Sequence, residues 1–394
     1  MTSQADIPSG IAALHDEMTS WRRHLHAYPE TAFEEFETAK FVAERLQSFG
    51  GIEVHEGLAG TGVIGVLKGE APGRMIGLRA DMDALDIEER TDAPWTSKKP
   101  GKMHACGHDG HTAMLLGAAR HLAQTRDFFG TIVFIFQPAE ENEGGGRVMV
   151  EEGLFDRFPV SEVYGLHNQP GLAVGKAAVR AGPVMASYDI FEITVKGAGG
   201  HAAEPHLGTD PLVAAAAIVG GLQNIASRKA APHEALVVSC TQIHGGSAWN
   251  VIPSEVVIRG TVRAFSSATQ DMAEAQIGLI ARSIAAASGV EADVRYERRY
   301  PPTVNHAEET ENAAAALSSL LGDACVIRDV EPDMGSEDFA FMLQAKPGAY
   351  IGLGIGESVS YLHSPEYDFN DDALPIGAAY WDRLARQRLS DKAR

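Results

Sequence analysis

The chain predicts an α/β protein, with a discontinuous first domain on a mostly parallel sheet flanked by helices and an inserted ferredoxin-like α+β domain. Three observations carry that expectation. Short, continuous apolar runs bounded by turn residues fit strands buried on both faces. Helical patterns separate those runs, as in a sheet covered on both sides. Near residue 185 the patterning changes to strict alternation, which marks half-solvated strands of a different kind. At 394 residues the chain also exceeds what one hydrophobic core usually serves.

Taken in order, Met75-Ile-Gly-Leu78 is a buried strand leading to Arg79-Ala-Asp81-Met-Asp83. Thr112–Ala123 has helical spacing. Thr131–Phe136 is a second buried strand and leads to Gln137-Pro-Ala-Glu140-Glu141. Val163–Leu166 leads to His167, and Ala349–Leu353 precedes the loop holding His363. Tyr188–Val195 alternates, with Phe191, Ile193 and Val195 on the apolar face. A helix from Asp210-Pro211 to about Lys229 follows, then strands at Ala235–Ile243 and Ser254–Phe265. A helix over about Thr269–Ser288 and a strand over Ala292–Arg298 complete a β-α-β-β-α-β order. The inserted domain is therefore placed at 185–298, between Gly182-Pro183 and Pro301-Pro302. The first domain is placed at 1–184 and 299–394.

The formal charge of −20 disfavours nucleic acid and anionic membranes as partners, and an anionic substrate would need a local cationic receptor. No apolar run reaches membrane-spanning length, and the polar N-terminus lacks a signal-peptide core. Three cysteines, Cys106, Cys240 and Cys325, suggest no disulfide framework, and Cys240 and Cys325 read as packing. A cytoplasmic location follows from these points.

Ligands in open parallel sheets bind beyond the carboxyl ends of the strands. The residues of catalytic type fall there. Two divalent ions about 3.5–4 Å apart need several ligands, one of them bridging. Cys106, His108, Glu141, His167 and His363 supply that set. Singly, each has a bland reading: Cys106 as packing, the glutamate pair as a solvated turn, His167 as a polar cap. Together they read as a metal centre, with Glu140 left to move protons. Asp81 and Asp83 alternate after a strand, so only one should face the site, and Asp83 is the candidate orienting group. Asp109 could orient a ligating imidazole, and His104 and His111 read as supporting or helix-start residues. No Gly-x-Ser-x-Gly elbow suggests a serine hydrolase.

Arg79–Ala84, Met103–His111, Gln137–Glu141, Gly165–Asn168, Gly200–His206, Asn250–Pro253 and Gly335–Phe339 together resemble the M20 metallopeptidase family, in particular its amidohydrolase branch. That branch includes hippurate hydrolases, N-acyl-amino-acid hydrolases and plant auxin-conjugate hydrolases. The resemblance runs from about Trp21 to the C-terminal region. It implies that the five residues above are metal ligands for Zn2+ or Mn2+ (Co2+ or Ni2+ also being possible) and that Glu140 is the catalytic base. The Cys106/His108 pattern favours the amidohydrolase branch, because the peptidase branches carry His where Asp81 stands and Asp where His108 stands. Asp86 stands where the family often has proline, a departure that concerns a loop.

The resemblance also implies that the inserted domain is a lid and dimerisation domain, in a homodimer or homotetramer. His201 would then stabilise the oxyanion, often in the partner's site. Its bland reading is a turn residue. Arg259 and Arg263 share one face of a strand, and a substrate carboxylate or a surface salt bridge explains each; Asn250 could add an amide donor. The implied substrate is a small N-acyl amino acid. A dipeptidase with the same mechanism, or a metal-binding scaffold without turnover, are the alternatives.

Overall fold

The structure is a computed structural model that describes residues 5–141 and 143–390. Two compact units divide the chain. The first comprises the residues up to Gly182, Val304–Glu331 and those from Asp338 on; the second comprises Pro183–Thr303 and Pro332–Glu337.

The first unit opens with helices α1 (His15–Ala27) and α2 (Phe36–Ser48) and strands β1 (Ile52–Leu58), β2 (Gly62–Lys68) and β3 (Ala71–Asp81). Helix α3 (His108–Thr125), β4 (Phe129–Gln137), the short α4 (Gly145–Glu151), β5 (Glu162–Pro170) and β6 (Ala177–Val179) follow. The second unit holds β7 (Tyr188–Lys196), β8 (Gly200–His201), α5 (Pro211–Asn224), β9 (Leu236–His244), β10 (Val251–Ile252), β11 (Glu255–Ala264), α6 (Ser267–Ala287) and β12 (Glu291–Tyr300). The first unit resumes with α7 (Ala307–Leu321), β13 (Val326–Arg328), β14 (Gly348–Gly356) and α8 (Leu374–Arg388).

One eight-stranded sheet organises the first unit, in the order β1-β2-β4-β3-β5-β14-β6-β13. Its centre is parallel: β3 pairs in parallel with β4 and β5, and β5 with β14. The antiparallel pairings lie toward the edges, at β1–β2, β2–β4 and β14–β6. The central strands carry continuous apolar runs, such as Ile132–Phe136 of β4 and Val163–Leu166 of β5, because both faces of the sheet are covered. Ile132 to Phe136 of β4 and Leu78 of β3 are wholly buried, each contributing roughly 1.5–3 kcal/mol of hydrophobic stabilisation. Parallel pairing aligns the carboxyl ends of β3, β4, β5 and β14 on one rim. The candidate site is on that rim.

The second unit's sheet, β9-β11-β7-β12, is antiparallel throughout. Phe191, Ile193, Val195, Val256, Ile258 and Val262 form one face and pack with Ala214, Ile218, Leu222, Ala273 and Ile277 of α5 and α6. The Asp210 side chain caps α5 by accepting from Leu212 N (2.9 Å) and Val213 N (3.2 Å). The α-helical hydrogen bonding of α5 stops at Asn224, and Ile225–Lys229 continue as a wider π turn. Cys240 and Cys325 sit at core margins, partly exposed, and not in the fully buried positions their apolar neighbours suggest.

Candidate metal centre

The loop before α3 carries Cys106, Gly107 and His108. Gly107 has φ 88, and a Cβ there would lie 2.4 Å from both Asn168 Nδ2 and Tyr367 Oη. Only glycine fits between the two donor residues. Cys106 Sγ lies 3.4 Å from His167 Nε2. His167 stands near the end of β5 and gives its Nδ1 hydrogen to the carbonyl of Asn168 (2.7 Å), which leaves Nε2 toward the thiol. His108 Nδ1 is held by Asp83, at 3.0 Å from its carbonyl and 3.1 Å from Oδ1, so Nε2 faces the other way.

Beyond β4 the chain turns through Pro138 and Ala139, the latter at φ 53, to present Glu140 and Glu141. The turn is tight: Gly145 N donates to Ala139 O at 2.8 Å, and a Cβ on Gly145 would meet Pro138 O at 1.8 Å. Asp83 Oδ2 accepts from Glu141 N at 2.9 Å. His363, in the loop after β14, has φ 63. Its N–H donates to Ala105 O (2.8 Å), tying that loop to the Cys106 segment. His363 Nε2 lies 3.2 Å from Glu141 Oε1.

The five candidate ligands thus come together, in clusters whose donor atoms lie within 4.8 Å of one another. One is Cys106, His108 and His167, another Cys106, Glu141 and His363, and a third His108, Glu140 and Glu141. Cys106 belongs to two of these clusters. His108 Nε2 is buried without a hydrogen-bond partner, a costly arrangement in a dry protein and a suitable one for a cation. These residues fit a divalent metal centre.

Electrostatics agree. Burial, and then the charges of Glu141 and Glu140, push the Cys106 thiol well above its ordinary range. Burial and the neighbouring His111 hold His167 down to about 3, so its imidazole is neutral, the form a ligand needs. Burial also disfavours the charged form of His108, but Asp81 and Asp83 outweigh it and raise that group to about 10.

Asp81 and Asp83 both reach site histidines, so the expectation that only one could do so fails. Strand β3 ends at Asp81, and alternation has no force beyond it. Asp81 Oδ1 pairs with His111 Nδ1 at 2.6 Å, while Asp83 takes His108. Asp109, a candidate for orienting a ligating imidazole, does not contact one. It faces away from the rim and holds Arg22 Nε (2.8 Å) and His26 Nδ1 (2.8 Å), because the first turn of α3 sends it toward α1. His111 Nε2 accepts from Asn168 N at 3.0 Å, and Asn168 Nδ2 donates to Cys106 O at 2.6 Å. His104 is buried, with no hydrogen-bond partner for either ring nitrogen, and burial lowers it to about 4.

In the second unit, β8 and β10 form a two-stranded ribbon in which His201 pairs with Val251. Ala202 N donates to Asn250 O at 3.0 Å, so His201 and Asn250 are neighbours, both exposed. On the sheet face away from the helices, Arg259 is ion-paired to Glu192 at 2.6 Å, which removes it as an unpaired receptor. Arg263 donates to Ser336 Oγ (3.1 Å), and its guanidinium lies 4.2 Å over Tyr188. It has no carboxylate within ion-pairing distance among the described residues. Arg263, Arg259, Arg295 and Arg299 line a groove of about 520 Å³ on this face.

Residues 77–387 match peptidase family M20/M25/M40. The chain belongs to this family. A hippurate hydrolase of Campylobacter jejuni is 41% identical over 379 residues, covering 96% of this chain and 98% of that protein. An N-acetyl-L-cysteine deacetylase of Bacillus subtilis is 39% identical over 390 residues, covering 98% and 91%. The crystal structure of the B. subtilis YXEP protein, a dinuclear metal binding peptidase of the M20 family, superposes with a TM-score of 0.84 at 36% identity, covering 96% of this chain and 99% of that one. Membership of M20, with the donor clusters, supports a hydrolase of amide-type bonds with a centre for two divalent ions. No helix among the described residues is long and apolar enough to cross a membrane.

Proposed function

We propose that this M20 protein is an amidohydrolase that splits N-acyl amino acids, of hippurate-like or N-acetyl type, into a carboxylic acid and a free amino acid. The observation that carries this reading is the division of labour available to two adjacent carboxylates. Glu141 faces Cys106 and His363, while Glu140 is buried beside it and accepts from Asp338 N at 3.4 Å. Cys106, His108, Glu141, His167 and His363 would hold two ions, Zn2+ or Mn2+ in first place, with Co2+ and Ni2+ also suited to thiolate, imidazole and carboxylate donors. When bound, such ions acidify a water and polarise the amide carbonyl.

Glu140 takes the proton of the attacking water and delivers it to the leaving nitrogen. Asp83 fixes the His108 tautomer and the Glu141 backbone. His201, supplied by a second chain of a homodimer or homotetramer, donates to the carbonyl oxygen as charge develops there. Arg263 and Asn250 bind the substrate carboxylate, the local cationic receptor that a chain of −20 charge needs. The cell compartment is the cytoplasm. The names carried by the two curated relatives support this substrate class.

The test is Glu140→Gln, assayed on a panel of N-acetyl and N-benzoyl amino acids, with metal content measured on the same preparation. An amide cannot shuttle protons, so turnover falls by roughly 10²–10⁴-fold with metal retained. Activity within about tenfold of wild type removes Glu140 as the base.

A further inference from the structure

We infer that Glu35 is a positioning residue for the catalytic turn, acting through the backbone of Ala139 to aim Glu140; this rests on the amidohydrolase reading above. Glu35 is wholly buried at the start of α2, remote in sequence from every candidate ligand. Its Oε1 accepts from Ala139 N (2.9 Å) and from Phe33 N (3.1 Å), and its Oε2 accepts from Thr61 Oγ1 (2.7 Å). Both backbone donors belong to residues in the left-handed region, Ala139 at φ 53 and Phe33 at φ 60, where side chains other than glycine's are strained. One carboxylate oxygen therefore pins two unfavourable turns at once.

The geometry around Glu140 gives this contact its meaning. The N–H before it, on Ala139, is held by Glu35, and the N–H after it, on Glu141, is held by Asp83 at 2.9 Å. Two buried carboxylates thus clamp the peptides on either side of the proposed base. Asp83 also holds a candidate ligand, so its loss would disturb the metal centre directly. Glu35 touches no candidate ligand. Burial and the nearby Asp83 raise Glu35 to about 7, so the fold keeps a costly carboxyl group where an apolar residue would pack more cheaply. A purely structural filler would not need acceptors aimed at that turn.

The experiment compares Glu35→Asp, Glu35→Gln and Glu35→Ala in the full, metal-loaded protein. Aspartate is one bond shorter, about 1.5 Å, and cannot span Ala139 and Thr61 together. Glutamine can: its oxygen accepts from Ala139 and Phe33 while its NH2 donates to the threonine oxygen. The Asp and Ala variants should keep two ions per chain and bind the product carboxylate as wild type does, yet lose on the order of 10- to 100-fold in kcat with little change in KM. Glu35→Gln should restore kcat to within about threefold of wild type. Adding Ala139→Gly to Glu35→Asp should recover part of the loss, because glycine adopts the left-handed turn without strain.

A normal kcat in Glu35→Asp would overturn the inference, and so would losses confined to yield or melting temperature. Failure of Ala139→Gly to recover any kcat would also overturn it. If Glu35→Ala fails to fold, Glu35→Asp decides. A wild-type protein inactive on every N-acyl amino acid would instead sink the amidohydrolase reading.

Discussion

Asp83→Asn tests whether the geometry that readies His108 matters. Asp83 spends one oxygen on His108 Nδ1 (3.1 Å) and the other on Glu141 N (2.9 Å), and both partners are donors. Asparagine has one acceptor and one donor in the same space. If its oxygen stays on Glu141, its NH2 meets His108 Nδ1 and favours a hydrogen on Nε2, the atom meant for metal. If it flips, NH2 confronts the Glu141 N–H. Either way one charge-assisted hydrogen bond is lost, about 1.5–3 kcal/mol. The Asp83 carbonyl, 3.0 Å from His108 Nδ1, still accepts and limits the damage.

At about 1.4 kcal/mol per factor of ten, the loss corresponds to roughly 10- to 100-fold in metal affinity, the range usual for partners of ligating histidines. Competition against a graded series of chelators measures it, with turnover at saturating metal recorded alongside. An Asp83→Asn protein that binds two ions within about threefold of wild-type affinity would refute the orienting role.

Arg263→Ala should raise KM sharply for N-acyl amino acids and much less for the matching amides without a free carboxylate; equal losses on both substrate types would make the arginine structural. A mixed dimer of Glu140→Ala and His201→Ala chains should regain activity if His201 serves the partner's site, since one of its two sites then holds both residues. A mixed dimer as inactive as its parents would refute that assignment, and so would a monomeric wild type. His26 is raised to about 9: burial opposes its charge, but hydrogen bonds to Asp109 and Glu89 outweigh it. Because the folded value lies above the unfolded one, its stabilisation is complete below pH 6.5 and is lost as pH rises through about 9. Melts of chelated protein should show stability falling across that window and a flatter profile in His26→Gln; an identical slope in both would refute it.

The parts of the fold that rest on one-dimensional pattern were legible in the sequence. The apolar runs of β3, β4, β5 and β14 are continuous because both faces of the sheet are covered. The alternation of β7 is visible because only one of its faces is packed. The five candidate ligands were legible because a thiol, imidazoles and carboxylates at strand ends have few bland explanations in combination. Glu35, Asn168 and the Arg22–His26–Asp109 network were not legible. Arg22 and His26 are spaced as solvent-facing residues of an amphipathic helix, and nothing local shows that both are buried. Glu35 is one of several acidic residues ahead of a helix, where a carboxylate usually serves the helix end. What sets each apart is a hydrogen bond to a residue scores of positions away. The Asp81/Asp83 expectation fails for a related reason: alternation is a property of a strand, and Asp83 lies past the last residue of β3.

The place of β14 in the sheet bears on how the molecule is made. Strand β14 lies between β5 and β6, yet it leaves the ribosome after the whole second unit has been synthesised. Until then β5 ends in an open edge, a ready template for pairing with another chain. The second unit, by contrast, is contiguous apart from Pro332–Glu337 and can begin to form as it emerges. The candidate donor set is incomplete until His363 has been made. A deletion from residue 348 onward would therefore split the sheet down its middle instead of trimming its margin. Degradation or co-aggregation of the nascent product is the expected fate of such a truncation, and a smaller working enzyme is not.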